Sequence, residues 1–463
     1  MKRIIMIAAA LSYVMGAAAE GYQVNLQSAR QAGMGHVGTG MKLGSESMHF
    51  NPAGLTSVNT MDLSAGVALL KATAHLDGKS GSTAVDSKTD NSISTPIYLY
   101  AGFNVWKNKL FAGVSVNNPY GSGLNWGKDW AGNKLIQEIS MRAFSIQPTL
   151  AYKINDQWSV GAGLMIVTGD FSMNKALMVN SDLGALKNTT IPDAAALASL
   201  GLKGTSKLGY GYNLGIQYDV TPELTLGLSY RSQMSVKVDN GSSETLYTHS
   251  GAEALSGAIS YLNNAIGALP DDNPQKSVLT ETRNALMTAQ GTFTALNGKT
   301  VEAELPLPSN LSFGASYRVN PKLTLAADFQ YIAWQCYDTL QINLKELGAA
   351  GVTKMVKNYK NSFAIRVGGE YSLCPHTDVR LGFAYDKTPV DKNWYSPETP
   401  GADKYIITAG SSIKLYKNLG FDLGLQYVLG QKDGKYPTSP TTTFGGEYTT
   451  TAFSASLGLN YKF

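Results

Sequence analysis

The chain has few of the residues on which most catalytic and metal sites depend. Its 463 residues include two cysteines and five histidines, and the histidines are scattered without metal-ligand spacing. In the strand assignment below, Cys336 lies well up one strand and Cys374 at the turn of the next hairpin, whereas a disulfide needs Cα atoms within roughly 7 Å. We therefore predict no disulfide, no metal site, no cofactor and no enzymatic activity. A hydrolase with a Ser–His pair on a barrel is the enzymatic alternative.

Charge and long apolar runs are also scarce. Charged residues make up 16% of the chain, and the formal net charge is +4. Such a mixed surface argues against nucleic acid as a partner. Beyond residue 19, no stretch offers the roughly eighteen apolar residues in succession that a membrane-spanning helix needs. The sequence therefore predicts no helical membrane span.

Residues 1–19 have the pattern of a secretory signal peptide. A basic start at Lys2 and Arg3 precedes an apolar run over residues 4–15 and the small residues 17–19. We predict cleavage after Ala19. No cysteine lies near that position, which argues against a lipoprotein anchor.

Segments in which apolar residues alternate with other residues are, by contrast, abundant. Apolar residues recur at every second position in fourteen segments after Met61, the period of a β-strand. Six short turns alternate strictly with seven long loops, predicted at about residues 77–94, 119–138, 176–205, 239–300, 345–358, 389–403 and 434–446. A secreted soluble sandwich is the alternative, but it has no reason to segregate loop lengths. We predict an all-β fold, a 14-stranded antiparallel transmembrane β-barrel over residues 59–463 that ends on the aromatic Phe463.

Residues 20–58 show neither the helical nor the strand period of apolar residues, and they are rich in glycine, serine and methionine. A segment without a face to bury, followed by so much sheet, predicts a plug, or hatch, inside the barrel. Inward glycines on most strands would leave room for it, although tight packing of a twisted barrel is an alternative explanation. We assign to the plug Gly33, Gly35, Gly38, Asn51, Pro52 and Ala53. The glycine spacing matches the dinucleotide fingerprint in letters only, because neither the strand nor the helix of that motif is visible here.

Basic residues share the inward parity of the predicted strands. We expect one or two of them to hold the carboxylate of an amphipathic ligand, while inward apolar residues take its tail. The alternative is that these charges are simply paired or hydrated. The candidate pocket residues are Met165, Val167, Phe171, Arg231, Lys237, Arg366 and Arg380. For Arg380 we expect a carboxylate partner on its own strand, Asp378 or Asp386.

Two long loops carry apolar residues that could form a capture groove at the outer surface. In residues 239–300, apolar side chains recur at helical spacing and predict one apolar helical face. In residues 176–205, an apolar triplet precedes a helix-like run that includes Leu197 and Leu200. The candidate groove residues are Leu177, Met178, Val179, Leu255, Ile259, Leu262 and Ile266. The alternative is that these loops pack together as a cap, and both interpretations can hold together.

An ordered set of motifs resembles the FadL-type family of hydrophobic-compound transporters in Gram-negative outer membranes. Asn51-Pro52-Ala53 lies shortly before the first strand, where the family has its NPA motif. A pattern running from Arg380 through Gly382 and Asp386 to Pro389-Val390 crosses the eleventh strand, and Pro400 and Asp403 precede the next. The resemblance implies an outer-membrane barrel with an N-terminal hatch that takes up long-chain fatty acids or other hydrophobic compounds by diffusion.

The resemblance also implies hatch movement and sideways release into the membrane near the third strand. The candidate exit residues are Asn118, Pro119 and Gly121, where proline removes a ladder donor and glycine relaxes the backbone. A plain transition from strand to loop explains the same residues equally well. The expected partners are a hydrophobic ligand, outer-membrane lipid and lipopolysaccharide, and we expect a monomer. A surface receptor or adhesin with long binding loops and a general porin are the alternative functions.

Overall fold

A computed structural model describes residues 21–177, 197–248, 251–436 and 444–463. The predicted signal peptide and the groove residues Met178 and Val179 lie outside the described residues. Within the described part of the chain, no helix is long and apolar enough to cross a membrane. Both cysteines there are free, Cys336 half-buried and Cys374 exposed.

The predicted antiparallel barrel of fourteen strands is confirmed. Its ladder closes on itself, because the last strand pairs with the first from Asp62–Lys462 to Ser80–Phe444. The wall strands are, in order around the barrel, β1 (Met61–Ser80), β3 (Ile97–Trp106), β4 (Leu110–Asn125), β5 (Glu138–Lys153), β6 (Trp158–Leu177), β8 (Gly209–Asp219), β9 (Leu224–Arg231), β12 (Asn310–Asn320), β13 (Leu323–Ile332), β16 (Ser362–Cys374), β17 (Thr377–Asp386), β18 (Lys404–Lys414), β19 (Leu419–Gly430) and β21 (Phe444–Lys462).

Further strands continue the wall beyond the membrane on the long-loop side. They are β2 (Thr83–Lys88), β7 (Ala198–Thr205), β10 (Met234–Tyr247), β11 (Thr300–Leu307), β14 (Thr339–Leu344), β15 (Val352–Val356) and β20 (Asp433–Lys435). Part of each predicted long loop is therefore sheet or helix. The helix-like run predicted around Leu197 and Leu200 is wrong, since Leu200 lies in β7 and pairs with Lys175 of β6. Inter-strand hydrogen bonds outweighed a weak local helical pattern there.

The strands present apolar residues on both faces, but to different surroundings. Along β3, Tyr98 and Tyr100 are buried in the lumen, whereas Leu99 between them is 53% exposed. In a membrane barrel the exposed apolar side chains contact lipid. Aromatic side chains collect at the short-turn end of this outer face: Trp106, Tyr152, Trp158, Tyr218, Tyr317, Tyr371 and Tyr461. This ring marks the periplasmic interface, where amphipathic aromatics are favoured.

The plug lies inside the barrel as a chain of short helical turns. These are α1 (Ala29–Ala32), a 3₁₀ turn Gly44–Glu46, α2 (Ser47–Phe50) and a second 3₁₀ turn Pro52–Ser57. Ser28 caps α1 by accepting a hydrogen bond from Gln31 N at 3.1 Å. Most side chains of the plug are fully buried against the wall. The segment therefore gains its stability from the barrel rather than from a core of its own.

The inward glycines mark where the plug touches the wall. An added Cβ would meet plug atoms at most of the inward glycines that the alternation identifies: Gly102, Gly113, Gly161, Gly215, Gly227, Gly314, Gly368, Gly382, Gly410, Gly424 and Gly458. At Gly382 the nearest atom would be the backbone nitrogen of Gly35, 2.2 Å away. Gly35 itself has φ +68°, a backbone conformation that favours glycine. Packing of the plug, rather than the twist of the barrel, accounts for these positions.

Candidate functional site

The Asn51-Pro52-Ala53 motif fastens the plug to one side of the wall. The side chain of Asn51 donates to Thr39 O at 2.9 Å and to Ile216 O of β8 at 3.0 Å. Its Oδ1 accepts from Ala53 N at 3.1 Å, so the same residue caps the 3₁₀ turn that follows. Pro52 starts that turn with a preset φ. The motif thus joins a local cap to a long-range anchor, and it lies against the inner wall as predicted.

Asp328 of β13 fastens the plug from the other side. One of its carboxylate oxygens accepts from Gly38 N at 2.7 Å, from Thr39 N at 2.9 Å and from Thr39 Oγ1 at 3.0 Å. Each of these bonds would have to break if the plug moved, and bonds to a charged acceptor are stronger than neutral ones. The alternation places Asp328 on the inward face of its strand, but it does not indicate that the plug is the partner of this carboxylate.

A charge network joins the plug to the periplasmic half of the wall. Arg380 Nε lies 2.5 Å from Glu370 Oε2, and Arg380 Nη1 lies 3.6 Å from Asp422 Oδ1. Arg30 of the plug contacts the other oxygen of Glu370 at 2.8 Å. The side chains of Arg380 and Asp422 are 2% and 4% exposed, whereas that of Arg30 is 23% exposed, so the wall part of the network is buried and its plug end is partly open. Glu370 therefore couples the plug to two strands at once.

The inward direction predicted for Arg380 is confirmed, but both predicted partners are wrong. Asp378 accepts instead from Ser372 Oγ at 2.6 Å, and Asp386 lies 4.0 Å from Arg366. The ladder pairs Arg380 directly with Glu370. Residues opposite each other on adjacent strands have Cβ atoms about 4.5–5.5 Å apart, closer than same-face neighbours along one strand.

Glu46 is a buried ionisable residue of the plug. It accepts hydrogen bonds from Ser28 Oγ and Ser64 Oγ, both at 2.6 Å. Burial, reinforced by Asp422, raises its pKa to about 7, against an ordinary value of 4.5. The docked plug therefore favours the protonated carboxyl.

A small polar cavity of about 30 Å³ lies between the plug and the wall. Arg231 and Arg366 reach it from the wall, and His36 and His49 from the plug. Arg231 Nη2 donates to His49 O at 2.8 Å. Burial is the main reason that the pKa of both histidines lies well below the usual value, and the positive charge of the two arginines lowers it further. The histidines are therefore neutral, and the arginines supply the positive charge of the cavity.

Several polar atoms around this cavity have no hydrogen-bond partner among the described residues. They include both side-chain heteroatoms of Asn310, Arg231 Nε and Asp328 Oδ1. Buried polar groups without a partner are costly, so the cavity suits water or a small polar group. Its volume fits about two waters at roughly 10–15 Å³ each.

Lys237 does not join this cavity, so the inward parity predicted for it is wrong. Its side chain is 57% exposed and lies 3.8 Å from Asp239 on the outer face. Residues 232–233 separate β9 from β10 and shift the alternation by one, so that Met234 and Val236 point inward instead. A shift of one residue turns every following side chain to the other face of a sheet.

An apolar cluster fills the lumen above the polar cavity. It contains the predicted Met165 and Val167, each 1% exposed, with Phe171 packed against it. The sequence did not indicate the tyrosine of the plug that completes it. Tyr22 packs edge-on against Trp334 at 4.7 Å and against Tyr337 at 5.6 Å between ring centroids. Four methionines, Met141, Met165, Met173 and Met234, give this cluster an adaptable surface.

The wall is interrupted beside this cluster, between β3 and β4. Their ladder ends at the pair Tyr98–Asn117, and the register of β4 against β5 shifts between residues 117 and 120. The start of the plug bonds to the freed backbone: Val24 N donates to Pro119 O at 3.0 Å, and Gly121 N donates to Tyr22 O at 2.9 Å. We call this place the β3–β4 gap. Plug residues 22–27 cover it from inside.

Asn118 frames the β3–β4 gap. Its Oδ1 accepts from Ile97 N at 3.0 Å, and its Nδ2 donates to Ala143 O at 3.2 Å. The backbone oxygen of Asn118 accepts from Gln27 Nε2 at 2.9 Å. The three predicted exit residues thus share one irregular site with the plug, rather than a simple passage from strand to loop.

The predicted apolar helical face belongs to a helical hairpin, α3 (Gly251–Ala268) and α4 (Pro274–Leu296). Leu255 and Leu262 are fully buried between the helices, against Leu286 and Phe293. Ile259 and Ile266 are half-buried at the edge of that core, and Leu177 packs against it from β6. We call the contact between Leu177 and the hairpin the loop seam. Leu197, from the other long loop, is buried in the same core, so the two loops pack on each other there as the cap interpretation expects. The loop seam is the partly exposed edge of this core.

Comparisons with known proteins agree with this architecture. The chain is 24% identical over 436 residues to the long-chain fatty acid transport protein of Escherichia coli K12, covering 89% of this chain and 88% of that protein. A FadL homologue from Pseudomonas aeruginosa superposes with a TM-score of 0.75 at 17% identity, over 96% of this chain and 100% of that one. The Ralstonia pickettii toluene transporter TbuX superposes with a TM-score of 0.62 at 15% identity, over 95% of this chain and 99% of that one.

At these identities the structural likeness shows the fold, and the family assignment rests on the sequence. Residues 10–463 match the family described as outer membrane protein transport protein (OMPP1/FadL/TodX). That match spans the plug, the barrel and every loop between them. The chain therefore belongs to the OMPP1/FadL/TodX family of outer-membrane transport proteins, whose members are channels rather than enzymes.

Proposed function

We propose that this protein carries long-chain fatty acids across the outer membrane by passive diffusion, gated by the plug. The observation that carries the proposal is the juxtaposition of two kinds of surface in one lumen. An adaptable apolar cluster lies directly above a polar cavity that holds Arg231 and Arg366. Gln23, which lines the cavity, pairs with Tyr120 of the cluster, so the two are contiguous.

The two surfaces match the two parts of a fatty acid. An acyl chain gains roughly 0.8 kcal/mol for each methylene removed from water, which the methionine-lined cluster can supply. A carboxylate needs positive charge and hydrogen-bond donors, and the unpartnered Arg231 Nε and Asn310 amide offer both. An aromatic hydrocarbon would use the cluster alone. The cavity therefore favours the ligand named in the E. coli relative over that named in the R. pickettii structure.

The proposed path begins outside and ends sideways. The loop seam captures the acyl chain, which then reaches the lumen through the cluster. Movement of plug residues 22–27 uncovers the β3–β4 gap and releases the ligand into the membrane. Two backbone bonds and one side-chain bond close that gap, at Pro119, Gly121 and Asn118. Opening it exchanges these bonds for others and also takes the side chain of Tyr22 out of the apolar cluster, so its cost includes lost packing.

We propose further that the protein acts as a monomer embedded in outer-membrane lipid and lipopolysaccharide. The barrel closes with its own strands, and the plug is supplied by the same chain. Each protomer thus contains the whole proposed path.

Ligand identity is tested first by extracting the lipid that purifies with the protein. The second test measures uptake of labelled oleate and of labelled toluene into cells that depend on this protein for uptake. We expect co-purified long-chain fatty acid and saturable oleate uptake. Replacing both Arg231 and Arg366 with methionine should weaken oleate uptake and leave toluene uptake unchanged. Toluene uptake without oleate uptake, or an equal loss of both in a correctly assembled barrel, would contradict the carboxylate site.

A further inference from the structure

A polar groove of about 580 Å³ opens on the outer face of the wall, between β11 and β14. These two strands pair over only three positions, from Val301–Leu344 to Ala303–Ile342. Below Ala303 they part and leave a fork that opens toward the membrane, where Pro306 of β11 has no N–H to continue the ladder. The volume lies within the roughly 300–1,000 Å³ of sites that bind small molecules. We call this place the outer groove.

The outer groove lies above the lipid-facing band of the barrel. Leu311 is 45% exposed and pairs with Tyr230 and Tyr331, and tyrosines are favoured where such a band ends. At a rise of about 3.3 Å per residue and a strand tilt of about 40°, Pro306 lies roughly 12 Å and Glu304 roughly 18 Å above Leu311. Phospholipid headgroups fill only about 5–8 Å beyond the hydrocarbon. The groove therefore faces a layer that phospholipids do not reach.

Polar side chains predominate in the outer groove. Those that line it include Gln233, Lys237, Glu304, Thr339, Gln341 and Asn343. An acyl chain gains little from such a surface, because its burial depends on apolar contact. Protein interfaces depend on large aromatic or arginine anchors, and none of the described residues that line this groove is of that kind. The lining instead suits a small partner with many hydrogen-bonding groups.

Each acid that lines the outer groove has a lysine beside it. Asp239 Oδ1 lies 3.8 Å from Lys237 Nζ, and Glu302 Oε1 lies 3.3 Å from Lys345 Nζ. Glu304 stands opposite Lys237 in the ladder between β10 and β11. Opposite charges balance one another here, whereas a highly charged partner is recognised by a surface of the other sign. A nucleic acid or an acidic peptide is therefore disfavoured.

Asn343 indicates which chemical group fits the outer groove. Its Nδ2 donates to Glu302 Oε2 at 2.9 Å. Its Oδ1 is buried and has no hydrogen-bond partner in the described part of the chain. Buried acceptors are normally paired with a donor. A hydroxyl can donate to this oxygen and accept from a neighbouring lysine or amide at the same time. A sugar carries several hydroxyls, so it matches this mixture of donors and acceptors.

We propose that the outer groove binds the sugar headgroup of an outer-leaflet glycolipid, which in this membrane is lipopolysaccharide. Sugar hydroxyls donate to Asn343 Oδ1 and accept from Gln341 and Lys237, while the acyl chains stay on the lipid-facing band below. A glycolipid headgroup reaches farther from the hydrocarbon than a phospholipid headgroup, so the height of the groove and its chemistry select the same partner. The inference rests on the proposed lipopolysaccharide surroundings of the barrel, and not on the proposed ligand or its path.

Native mass spectrometry of the full-length protein, with added deep-rough lipopolysaccharide or phosphatidylglycerol, tests the proposal. We expect one retained lipopolysaccharide on the unaltered barrel and weaker retention of phosphatidylglycerol. Gln341→Leu with Asn343→Leu should weaken lipopolysaccharide binding by roughly 10–30-fold, because two hydrogen bonds are lost, and should leave phosphatidylglycerol binding unchanged. Lys237→Met should also weaken lipopolysaccharide binding. Lys203→Met is its control, since Lys203 lies outside the groove and its ion pair with Glu244 has the same length of 3.8 Å.

Equal retention of the two lipids by the unaltered barrel would overturn the proposal, as would full lipopolysaccharide binding in the Gln341 and Asn343 double variant. An equal loss in the Lys237 and Lys203 variants would overturn it too, because binding would then follow surface charge rather than the groove. Oleate uptake should be unchanged in the Gln341 and Asn343 variant, since the groove lies outside the lumen. Failure of the proposed ligand would appear in the Arg231 and Arg366 variant, and it is therefore distinguishable from failure of this site.

Discussion

Gly33 of the plug and Gly410 of β18 touch along their backbones. A Cβ on Gly410 would lie 2.9 Å from the Cα of Gly33, and one on Gly33 would lie 2.7 Å from the Cα of Gly410. Neither residue has room for a side chain while the plug is seated. The fit of the plug therefore depends on which side chains are missing as much as on which are present.

Replacing Gly410 with leucine should displace the plug. Overpacking a tight contact costs typically about 1–3 kcal/mol. Movement of the plug away from the wall relieves the contact with Gly33, while the contact of 2.7 Å with Leu423 O of β19 stays within the wall. We expect a higher single-channel conductance in planar bilayers than for the unaltered protein. Ala409→Leu is the matched control, because it places the same leucine side chain on the lipid face of the same strand. Low conductance in both variants would show that the plug does not rest on this contact.

Removing Arg380 should loosen the plug far more than removing an exposed ion pair. Breaking a buried pair costs about 3–5 kcal/mol because the remaining charge stays buried. Arg380→Ala leaves Glu370 and Asp422 short of a partner, and we expect faster proteolysis of the plug in the assembled barrel. Lys42→Met is the control, since its pair with Asp219 is 44% exposed on the lysine side and is worth about 1 kcal/mol or less. Equal proteolysis rates would rule out the buried network as a plug anchor.

Seating of the plug should depend on pH through Glu46. Docking raises the pKa of this carboxyl from an ordinary 4.5 to about 7, so the docked state binds its proton more tightly than the undocked state. The resulting stabilisation is complete below pH 4.5 and is lost as the pH rises from there through about 7. Because one pKa unit corresponds to a factor of ten, the open fraction should rise at least about tenfold between pH 5 and 8.

Conductance measured across that range would show this change, and Glu46→Gln should remove the pH dependence while keeping the plug closed. An unaltered pH profile in the glutamine variant would assign the titration to another group. The charged groups that face Glu46 are Arg30 and Asp422, so an effect of either would be the first alternative to examine.

Capture at the loop seam should respond to Ile259 and not to the far side of the same helix. Ile259→Asp places a charge at the half-buried edge of the hairpin core and should raise the half-saturation concentration for oleate uptake about tenfold, since it removes roughly two methylenes of contact. Tyr261→Asp, at a site that is 55% exposed, should leave uptake unchanged. Leu262 is unsuitable for this test because it is fully buried, and a charge there would unfold the hairpin.

Much of the fold could be predicted from the sequence, because alternate residues of a membrane barrel's strands face lipid and lumen and so differ in polarity. The plug was predictable for a related reason: Gly382 and Gly410 sit where the alternation calls for inward side chains. The charge partners were not, since Glu370 and Arg380 meet across a ladder whose register the sequence does not state. Lys237 was misplaced because a two-residue interruption reverses the faces and leaves no trace in composition.

The role of plug residues 22–27 was also hidden from sequence. Their contacts with Pro119 and Gly121 join positions almost one hundred residues apart, and neither partner has a side chain that suggests the other. The unusual residues of β4 marked an irregularity, and the packed structure alone shows that Tyr22 and Val24 cover it.

Release through the β3–β4 gap is tested most directly by locking plug residues 22–27 over it with a reversible bond. A Cβ on Gly121 would lie 3.6 Å from Val24 Cγ2, so side chains at these two positions touch across the gap. The Val24→Cys and Gly121→Cys pair would be made in a chain with Cys336→Ser and Cys374→Ser, with Val24→Cys alone as the oxidant control. Labelled oleate uptake should fall to background when the pair is oxidised and return on reduction. Undiminished uptake with the disulfide verified by mass would contradict release through this gap.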